Sequence, residues 1–465
     1  MTTTTDTAAP AALETRGIEP VPADERHGHP AQLFWVWCAA NISILGLPLG
    51  ATLVAVYGLT VWQAVIVAAI GSVGSFAIVG AISIAGRRGG APGLTLSRAV
   101  FGARGNLGPT AVSLVSRLGW ETVNTTTAAF ALLSLLAIVF GTSSTAKEHP
   151  VLTVVCIAVF ELLTVLVAGL GHAVLVAVQR WATWIFGALN IVVGGFLVAT
   201  IDWSAVAAAT PAPVGAMIAG VGVIAAGTGI GWANASADIA RYQAPAVRAG
   251  ALVLSAAAGA GIPLVLLISL GSMLAAGDPT LAAAGDPVAA IRAMLPPWMA
   301  VPYLLAAFGG LLLSNHLSVY SAGLTTLTLG IRVRRVYAVV VDVVVTFVGA
   351  LLFMLVADGF YGPFIAFVSL LAVPITAWVG VFAVDMLHRR TYDPVALMDT
   401  SRTSAYWYRG GIEPRAVGSW AVAIIVGYLF VGPLSNTWVA TSGLGWVVTF
   451  IVAAGGYAAM GGARR

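Results

Sequence analysis

The sequence has little charge and almost no cysteine. Charged residues make up 9% of its 465 residues, whereas a soluble domain has roughly 25%, and apolar residues reach 59%. So few charges cannot cover a water-facing surface, which excludes an ordinary soluble protein. The two cysteines, Cys38 and Cys156, both lie in apolar stretches, and two such residues exclude a disulfide framework or a cysteine metal site.

The residue clusters of enzymes and metalloproteins are missing as well. No catalytic triad, metal-ligand spacing or phosphate-binding glycine loop occurs in the sequence, so no cofactor or metal is predicted. The first 32 residues are polar and lack the apolar core of a signal peptide. We predict a soluble tail at 1–32, a single membrane domain at 33–460 and a short tail at 461–465.

Long apolar runs fill the rest of the chain. A helix that crosses a bilayer needs about 20 apolar residues. Twelve runs of that kind lie at 33–57, 61–85, 108–140, 151–171, 175–201, 214–237, 249–275, 299–329, 336–357, 361–384, 417–434 and 437–460. The sequence therefore predicts an all-α integral membrane protein with twelve transmembrane helices and the lipid bilayer as its main partner.

The basic residues lie mostly on one side of the predicted spans. If the N-terminus is cytoplasmic, Lys147 and Arg292 fall outside, Arg117 falls within a span, and the other 19 of the 22 lysines and arginines fall inside. Cytoplasmic loops are enriched in these residues. We expect both termini to be cytoplasmic and the protein to lie in the plasma membrane. This distribution explains the net charge of +4 without a nucleic-acid partner.

Two apolar runs are interrupted by glycine at matching places, at 41–50 and at 227–234. Backbone that gives up helical hydrogen bonds within a membrane is tolerated only where it lines a cavity or is buried in protein. Paired interruptions in the two halves of a membrane protein indicate a central binding site between structural repeats. The pattern predicts a transporter, and a passive channel or a membrane enzyme remains a remote alternative.

The third run places Trp120, Asn124 and Thr127 on one helical face. An indole beside an amide and a hydroxyl suits a flat, polar, aromatic ligand, although the same residues are also typical of helix packing and interhelical hydrogen bonds. On a neighbouring face, Arg117 and Glu121 lie four residues apart and are expected to neutralise each other as an ion pair. Glu121 is alternatively a proton carrier.

Polar groups and glycines mark the sixth and eighth runs. Gly227, Gly229 and Gly231 would leave backbone amides and carbonyls free beside Trp232, although close helix packing also favours glycine. In the eighth run, Asn315 offers a donor and an acceptor. His316 is either a proton site or a packing residue. Near the cytoplasmic end of the sixth run, Asp238 and Arg241 are expected to form a gate or a stabilising ion pair.

Several short motifs occur along the chain in an order that is typical of a known family. Together they resemble the purine-cytosine permease branch of the nucleobase-cation-symport-1 family. The resemblance covers about residues 14 to 420. The motifs are 14–22 with Asp24-Glu25-Arg26, Phe34-Trp35-Val36-Trp37 with Asn41, Pro92-Gly93-Leu94 with Ser97-Arg98 and Phe101-Gly102, Gly119-Trp120 with Asn124, Gly231-Trp232 with Ala237-Asp238 and Arg241-Tyr242, and Asn315 with Tyr320-Ser321.

The resemblance implies a LeuT-like fold, in which spans 1–5 and 6–10 form inverted repeats with discontinuous helices 1 and 6 and two helices are appended. It also implies a symporter that imports a nucleobase or a similar heteroaromatic by alternating access. The alternative substrates are pyridoxine, a thiamine-related pyrimidine, and allantoin or hydantoin-like compounds. The implied substrate-binding residues are Trp120, Asn124, Gly229, Gly231, Trp232, Asn315 and Asn41.

The coupling ion is the point at which this sequence departs from the family. Sodium-dependent relatives carry two hydroxyl residues immediately before the asparagine of span 8, whereas this chain has Leu313 and Ser314. One oxygen ligand for a hard cation is therefore missing, and we predict a proton rather than sodium. The candidate coupling residues are Ser314, Glu121 and His316. No oligomeric state follows from the sequence.

Overall fold

Helices account for nearly all of the regular structure. The computed structural model describes residue 14 and residues 16–284, 286–357 and 361–462. The α-helices are α1 (Pro30–Asn41), α2 (Gly46–Ala55), α3 (Val61–Gly89), α4 (Gly93–Phe101), α5 (Leu107–Phe140), α6 (Pro150–Ala168), α7 (His172–Val198), α8 (Trp203–Ala208), α9 (Val214–Gly227), α10 (Ser236–Ala240), α11 (Ala249–Gly277), α12 (Pro287–Ala293), α13 (Ala300–Thr328), α14 (Arg335–Leu351), α15 (Tyr361–His388), α16 (Pro394–Met398), α17 (Pro414–Val431), α18 (Trp438–Thr441) and α19 (Gly445–Ala459).

Among the described residues, ten helical segments are long and apolar enough to cross a bilayer, and the bent pair α1 and α2 makes an eleventh. The segment Val214–Ala240 joins α9, a 3₁₀ helix and α10. The twelfth predicted run contains only α18 and the 15-residue α19, which falls short of the roughly 20 residues needed to span the hydrocarbon. The prediction of an all-helical membrane protein is confirmed.

The first break separates α1 from α2 with a bend of 63°. Residues 42–45 leave the helix between them. Glycine lets α2 approach α11 at backbone distance, because a Cβ on Gly50 would lie 1.9 Å from the Ile268 carbonyl oxygen and one on Gly271 would lie 2.0 Å from that of Leu47. No side chain fits between these helices, so α11 fixes the direction of α2.

The second break is a change of helix type with less bending. Helix α9 ends at Gly227, Thr228 leaves the helical region at φ −125° and ψ −102°, and Ile230–Ala235 continues as a 3₁₀ helix. The Ser75 hydroxyl of α3 accepts a hydrogen bond from the Gly229 amide at 3.2 Å. A side chain from another helix therefore satisfies backbone that the break has released.

The helices pack in three groups around these breaks. Helix α11 lies against α1, α2 and α3, while α13 lies against α5, α6, α7 and α14. Helices α15, α17 and α19 pack on one another, and α15 also contacts α5 and the 3₁₀ helix. Both breaks consequently lie where the groups meet.

The N-terminal segment docks on the helices, which differs from the predicted soluble tail. Ile18 and Val21 are buried, the Val21 amide donates to the Gly90 carbonyl at 2.8 Å, and Gly28 pairs with Tyr242. Residues 1–13 and 15 of the predicted tail, and 463–465 at the other terminus, lie outside the described residues. Two buried apolar side chains and backbone hydrogen bonds hold this segment against the helices, although its polar composition predicted a tail in water.

Candidate functional site

A small space, the central cavity, lies between the two breaks. Its volume is about 50 Å³, compared with roughly 300–1,000 Å³ for ligand pockets, so it holds one or two waters. The cavity is therefore too small for a ring-sized ligand in this structure. Its lining residues are Ala40, Asn41, Ser43, Leu45, Gly46, Leu49, Trp120, Asn124, Gly227, Thr228, Trp232, Leu264 and Ser314.

Two indoles line this cavity. Trp120 comes from α5, and Trp232 comes from the 3₁₀ helix after the second break. The Trp232 ring meets the edge of Trp37 with centroids 5.6 Å apart, an arrangement that favours aromatic pairs. The tryptophans of the predicted spans 3 and 6 therefore line one cavity.

The polar lining comes from neutral groups. Asn41 donates from Nδ2 to the Trp37 carbonyl at 2.8 Å. Asn124 donates from Nδ2 to the Ser314 hydroxyl at 3.5 Å and to Asn315 Oδ1 at 3.4 Å, longer than the usual 2.7–3.2 Å. These long bonds leave the Asn124 amide available for a better partner.

Asn315 lies behind the cavity and does not line it, so its predicted contact with a ligand is indirect in this structure. Its Oδ1 accepts from Asn124, and its Nδ2 donates to the Thr164 hydroxyl of α6 at 3.2 Å. His316 turns toward α6, where Nε2 lies 3.3 Å from the Leu163 carbonyl oxygen. Ser314 is the residue of this stretch that reaches the cavity.

Gly229 and Gly231 also lie beside the cavity and not on it. A Cβ on Gly229 would lie 2.4 Å from the Ser75 hydroxyl, and one on Gly231 would lie 3.3 Å from Nε1 of Trp120. The glycines serve close packing, which was the alternative interpretation of the pattern. Gly227 and Thr228 are the lining residues of this break.

The predicted ion pair between Arg117 and Glu121 is wrong. Arg117 donates to the Gly231 carbonyl, and its guanidinium lies 4.4 Å from the centroid of Trp232. Glu121 accepts a hydrogen bond from the Ser318 hydroxyl at 2.9 Å. Arg117 thus links α5 to the second break, and Glu121 points to α13.

The predicted pair of Asp238 and Arg241 is wrong as well. Asp238 accepts from the Gly93 amide at 2.9 Å and from the Ser321 hydroxyl at 2.6 Å. The fully buried Arg241 instead forms an ion pair with Glu14 at 2.7 Å. Sequence spacing favoured a partner three residues away, whereas the fold supplies one from the N-terminal segment.

Glu14 is the centre of a cluster that we call the polar seal, composed of Glu14, Arg241, Tyr242 and Tyr320. Tyr242 and Tyr320 both donate to the Glu14 carboxylate. Burial alone would raise the pKa of Glu14, but Arg241 and the hydrogen bonds hold the pKa below its usual value of 4.5. Sequence reasoning missed this role, although Glu14 opens the first motif of the family resemblance.

A second, larger cavity of about 400 Å³ adjoins the central cavity and shares Leu49 and Gly227 with it. It extends away from the polar seal between α2, α9, α15, α17 and α19. Its walls include Val373, Phe430 and Trp446. Despite its size it is mostly apolar, so the central cavity is the better candidate for recognising a polar ligand.

Leu313 stands at one of the two positions at which the family resemblance implies a hydroxyl for sodium. Its side chain packs with Ala39 and Ile42 in an apolar cluster. The described residues contain no group of three or more His, Cys, Asp or Glu side chains suited to a metal ion. Ser314 is the one candidate hydroxyl at this position of α13.

Known proteins share the sequence pattern and the fold. Residues 20–458 match the family of permeases for cytosine/purines, uracil, thiamine and allantoin. YxlA of Bacillus subtilis (strain 168), whose name describes it provisionally as a purine-cytosine permease, is 27% identical over 84% of this chain and 83% of its own. The purine-cytosine permease FCY2 of Saccharomyces cerevisiae (strain ATCC 204508 / S288c) is 27% identical over 57% of this chain and 49% of its own.

Solved structures of transporters have the same fold. MHP1, a nucleobase-cation-symport-1 family transporter in a closed conformation with bromovinylhydantoin bound, superposes with a TM-score of 0.72 at 20% identity, over 97% of this chain and 95% of its own. MhsT in complex with L-phenylalanine superposes at 0.55 with 13% identity, over 92% of this chain and 99% of its own. The fold is LeuT-like, as predicted.

Proposed function

Because the chain belongs to the family of permeases for cytosine/purines, uracil, thiamine and allantoin, we propose that it imports a nucleobase or a similar small heteroaromatic by cation-coupled alternating access. The observation that carries this proposal is the meeting of Trp120, Asn124 and Ser314 at a cavity between two helix breaks. An aromatic face provides stacking, and the amide and hydroxyl provide hydrogen bonds to the edge of a flat ring.

The cavity has to widen from its volume of about 50 Å³ before a base can bind. The two breaks allow this movement, because the backbone there is not tied by helical hydrogen bonds. The base stacks on Trp120 and replaces its hydrogen bonds to water by hydrogen bonds to Asn124 and Ser314. This replacement is needed because burying a polar edge without partners costs free energy. Asn41 and Trp232 complete the site from spans 1 and 6.

A proton is the coupling ion in this proposal. The apolar cluster around Leu313 supports it, because a sodium ion takes several oxygen ligands and this position supplies only the Ser314 hydroxyl from α13. Sodium is the alternative, with backbone carbonyls of the first break completing the ligand set.

The proposed direction follows from the distribution of arginine. We place both termini in the cytoplasm and the protein in the plasma membrane. The polar seal then closes the cytoplasmic end, and the larger apolar cavity lies on the outer side. Substrate then enters from outside and leaves after the seal opens.

The substrate itself is tested by a thermal-shift screen of the purified protein. We expect stabilisation by cytosine or a purine, with or without sodium, since a ligand that binds the folded state raises its stability by mass action. Stabilisation by pyridoxine, a pyrimidine vitamin precursor, allantoin or a hydantoin, and not by nucleobases, would replace the proposed substrate. Uptake of the hit into proteoliposomes, saturable and blocked by excess unlabelled compound, then separates a transporter from a passive channel.

A further inference from the structure

Three buried carboxylates lie between α5, α6, α13 and α14, outside the central cavity. Glu121, Glu161 and Asp342 are 0%, 3% and 3% exposed. Glu121 accepts from Ser318, Glu161 accepts from both Thr125 at 2.8 Å and Thr346 at 2.9 Å, and Asp342 accepts from Thr326 at 3.4 Å. Hydroxyl groups are thus the hydrogen-bond donors at all three acids.

Each carboxylate has one oxygen without a partner. Glu121 Oε2, Glu161 Oε2 and Asp342 Oδ2 are buried and make no hydrogen bond to any described residue. Among the residues that the structure describes, no Lys, Arg or His nitrogen lies within 4.0 Å of an oxygen of these three carboxylates, so none of them forms an ion pair. The other titratable groups on these four helices near the pocket are Arg117, which is engaged with Gly231 and Trp232, and His316, which contacts the Leu163 carbonyl.

A buried carboxylate without a cation is far more stable as the neutral acid, because burying a lone charge is costly. The free oxygen of each acid is the position that is open to a proton. Intramembrane acids of this kind mark proton relays.

The acids are connected to the central cavity through consecutive residues. Asn124 lines the cavity, and Thr125, the next residue of α5, donates to Glu161. Asn124 also donates to Asn315, which donates to Thr164 on α6. Thr164 in turn donates to the carbonyl of Phe160, the residue before Glu161. A ligand that moves Asn124 therefore acts on the part of α5 that carries the Thr125 donor to Glu161.

We propose that this pocket, with Glu161 as its principal acid, is the binding site of the coupling proton. The proposal rests on the proposed function, since it assigns a site to the proton of that symport. A proton from external water binds to the free oxygen of a carboxylate and is released to the cytoplasm as that carboxylate ionises. Through Ser318 and Thr326, Glu121 and Asp342 lie successively nearer the predicted cytoplasmic end of α13, and they form the inner steps of the path.

The test uses purified full-length protein in proteoliposomes with the membrane potential held at zero. An inward gradient of about one pH unit sustains up to about ten-fold accumulation at one proton per substrate. We expect wild type to accumulate radiolabelled cytosine, or the hit of the screen, under this gradient. Glu161→Gln should bind and exchange the substrate across the membrane but should accumulate none.

The matched control is Asp286→Asn, a half-buried acid that caps α12 by accepting from the amides of Val288 and Ala289, where asparagine caps equally well. It should accumulate substrate like wild type. Proton-driven accumulation by Glu161→Gln at the wild-type level overturns the proposal. So does accumulation driven by a sodium gradient at equal pH in wild type. If wild type neither binds nor exchanges any tested compound, the proposed function fails instead.

A second variant covers the case in which Glu161→Gln does not fold. Thr125→Val leaves the carboxyl group and removes one of its two donors, so it should displace the pH at which uptake is half-maximal. An unchanged pH profile in a folded Thr125→Val protein overturns the proposal.

Discussion

The central cavity and the polar seal use polar residues in opposite ways. The cavity is lined by neutral groups whose hydrogen bonds reach 3.4–3.5 Å at Asn124. At the seal, Glu14 and Arg241 make charge-assisted contacts of 2.7 Å. Hydrogen bonds to charged groups are shorter and roughly twice as strong as neutral ones.

This difference matches two tasks. A site that exchanges water for substrate needs donors that are not already committed, whereas an element that closes one end of the protein needs contacts that hold until something replaces them. Both regions are tied to α13, through Ser314 at the cavity and Tyr320 at the seal. A movement of α13 would therefore act on both the central cavity and the polar seal.

The largest effect is expected from Glu14→Gln, which leaves the fully buried Arg241 without a counter-charge. Docking of the N-terminal segment should weaken by about 3 kcal/mol, the lower end for a broken buried pair, or more than about a hundred-fold. Limited trypsin cleavage at Arg16 and Arg26 measures the released fraction. Glu25→Gln is the control, since its pair with Arg16 is exposed and worth at most about 1 kcal/mol. Equal cleavage of the two variants would contradict the role of the seal.

Trp120→Ala should have the next largest effect, on substrate affinity. Stacking of a base on an aromatic side chain contributes roughly 1–3 kcal/mol, so Kd for the substrate should rise about five-fold to more than a hundred-fold. Scintillation proximity binding measures Kd directly. Trp62→Ala, at a side chain 77% exposed, should bind as wild type does. An unchanged Kd in Trp120→Ala would remove stacking from the mechanism.

Asn124→Leu and Asn315→Leu distinguish a residue that contacts substrate from one behind it. Loss of a hydrogen-bond partner from a buried polar edge costs roughly 1–3 kcal/mol, and we expect that full cost in Kd for Asn124→Leu. Asn315→Leu should cost less, because Asn315 acts by holding Asn124. Should the two variants weaken binding equally, Asn315 contacts the ligand directly once the cavity has opened.

The smallest effect concerns the pH dependence of the seal. Since the pKa of Glu14 is lowered from 4.5, its contribution to docking is complete above that value and is lost as the pH falls through the lower pKa of the docked state. The docked fraction of the N-terminal segment, followed by the fluorescence of a dye attached to that segment, should be constant from neutral pH down to about pH 4.5 and should fall only below that value. A transition near neutral pH would assign the control of the seal to another group.

Sequence patterns predicted the helical membrane fold and much of the cavity. Apolar runs located α3 and α13 to within a few residues, and the glycine interruptions located both breaks. Trp120, Asn124, Trp232 and Asn41 were all predicted and all line the cavity. Ser43, Thr228 and Leu264 were not predicted, because nothing in their local pattern distinguishes them from packing residues.

The sequence could not predict the partners of the charged residues. Spacing suggested Arg117 with Glu121 and Asp238 with Arg241, since residues three or four apart are neighbours on a helix. In the structure each of the two arginines finds a partner on another segment.

Hydropathy, charge distribution and the placement of glycine are properties of short stretches, so the sequence by itself determined the class of protein, most of its spans and the positions of the two breaks. Which side chains meet across α5, α6, α13 and α14, and which of them turn toward the cavity, depends on how separate helices pack. Only the tertiary structure decided that Glu14 pairs with Arg241, that Asn315 lies behind Asn124, and that Glu161 lies beside Thr125. The physical reason is that buried polar groups must find partners, and the available partners come from segments far apart in the chain.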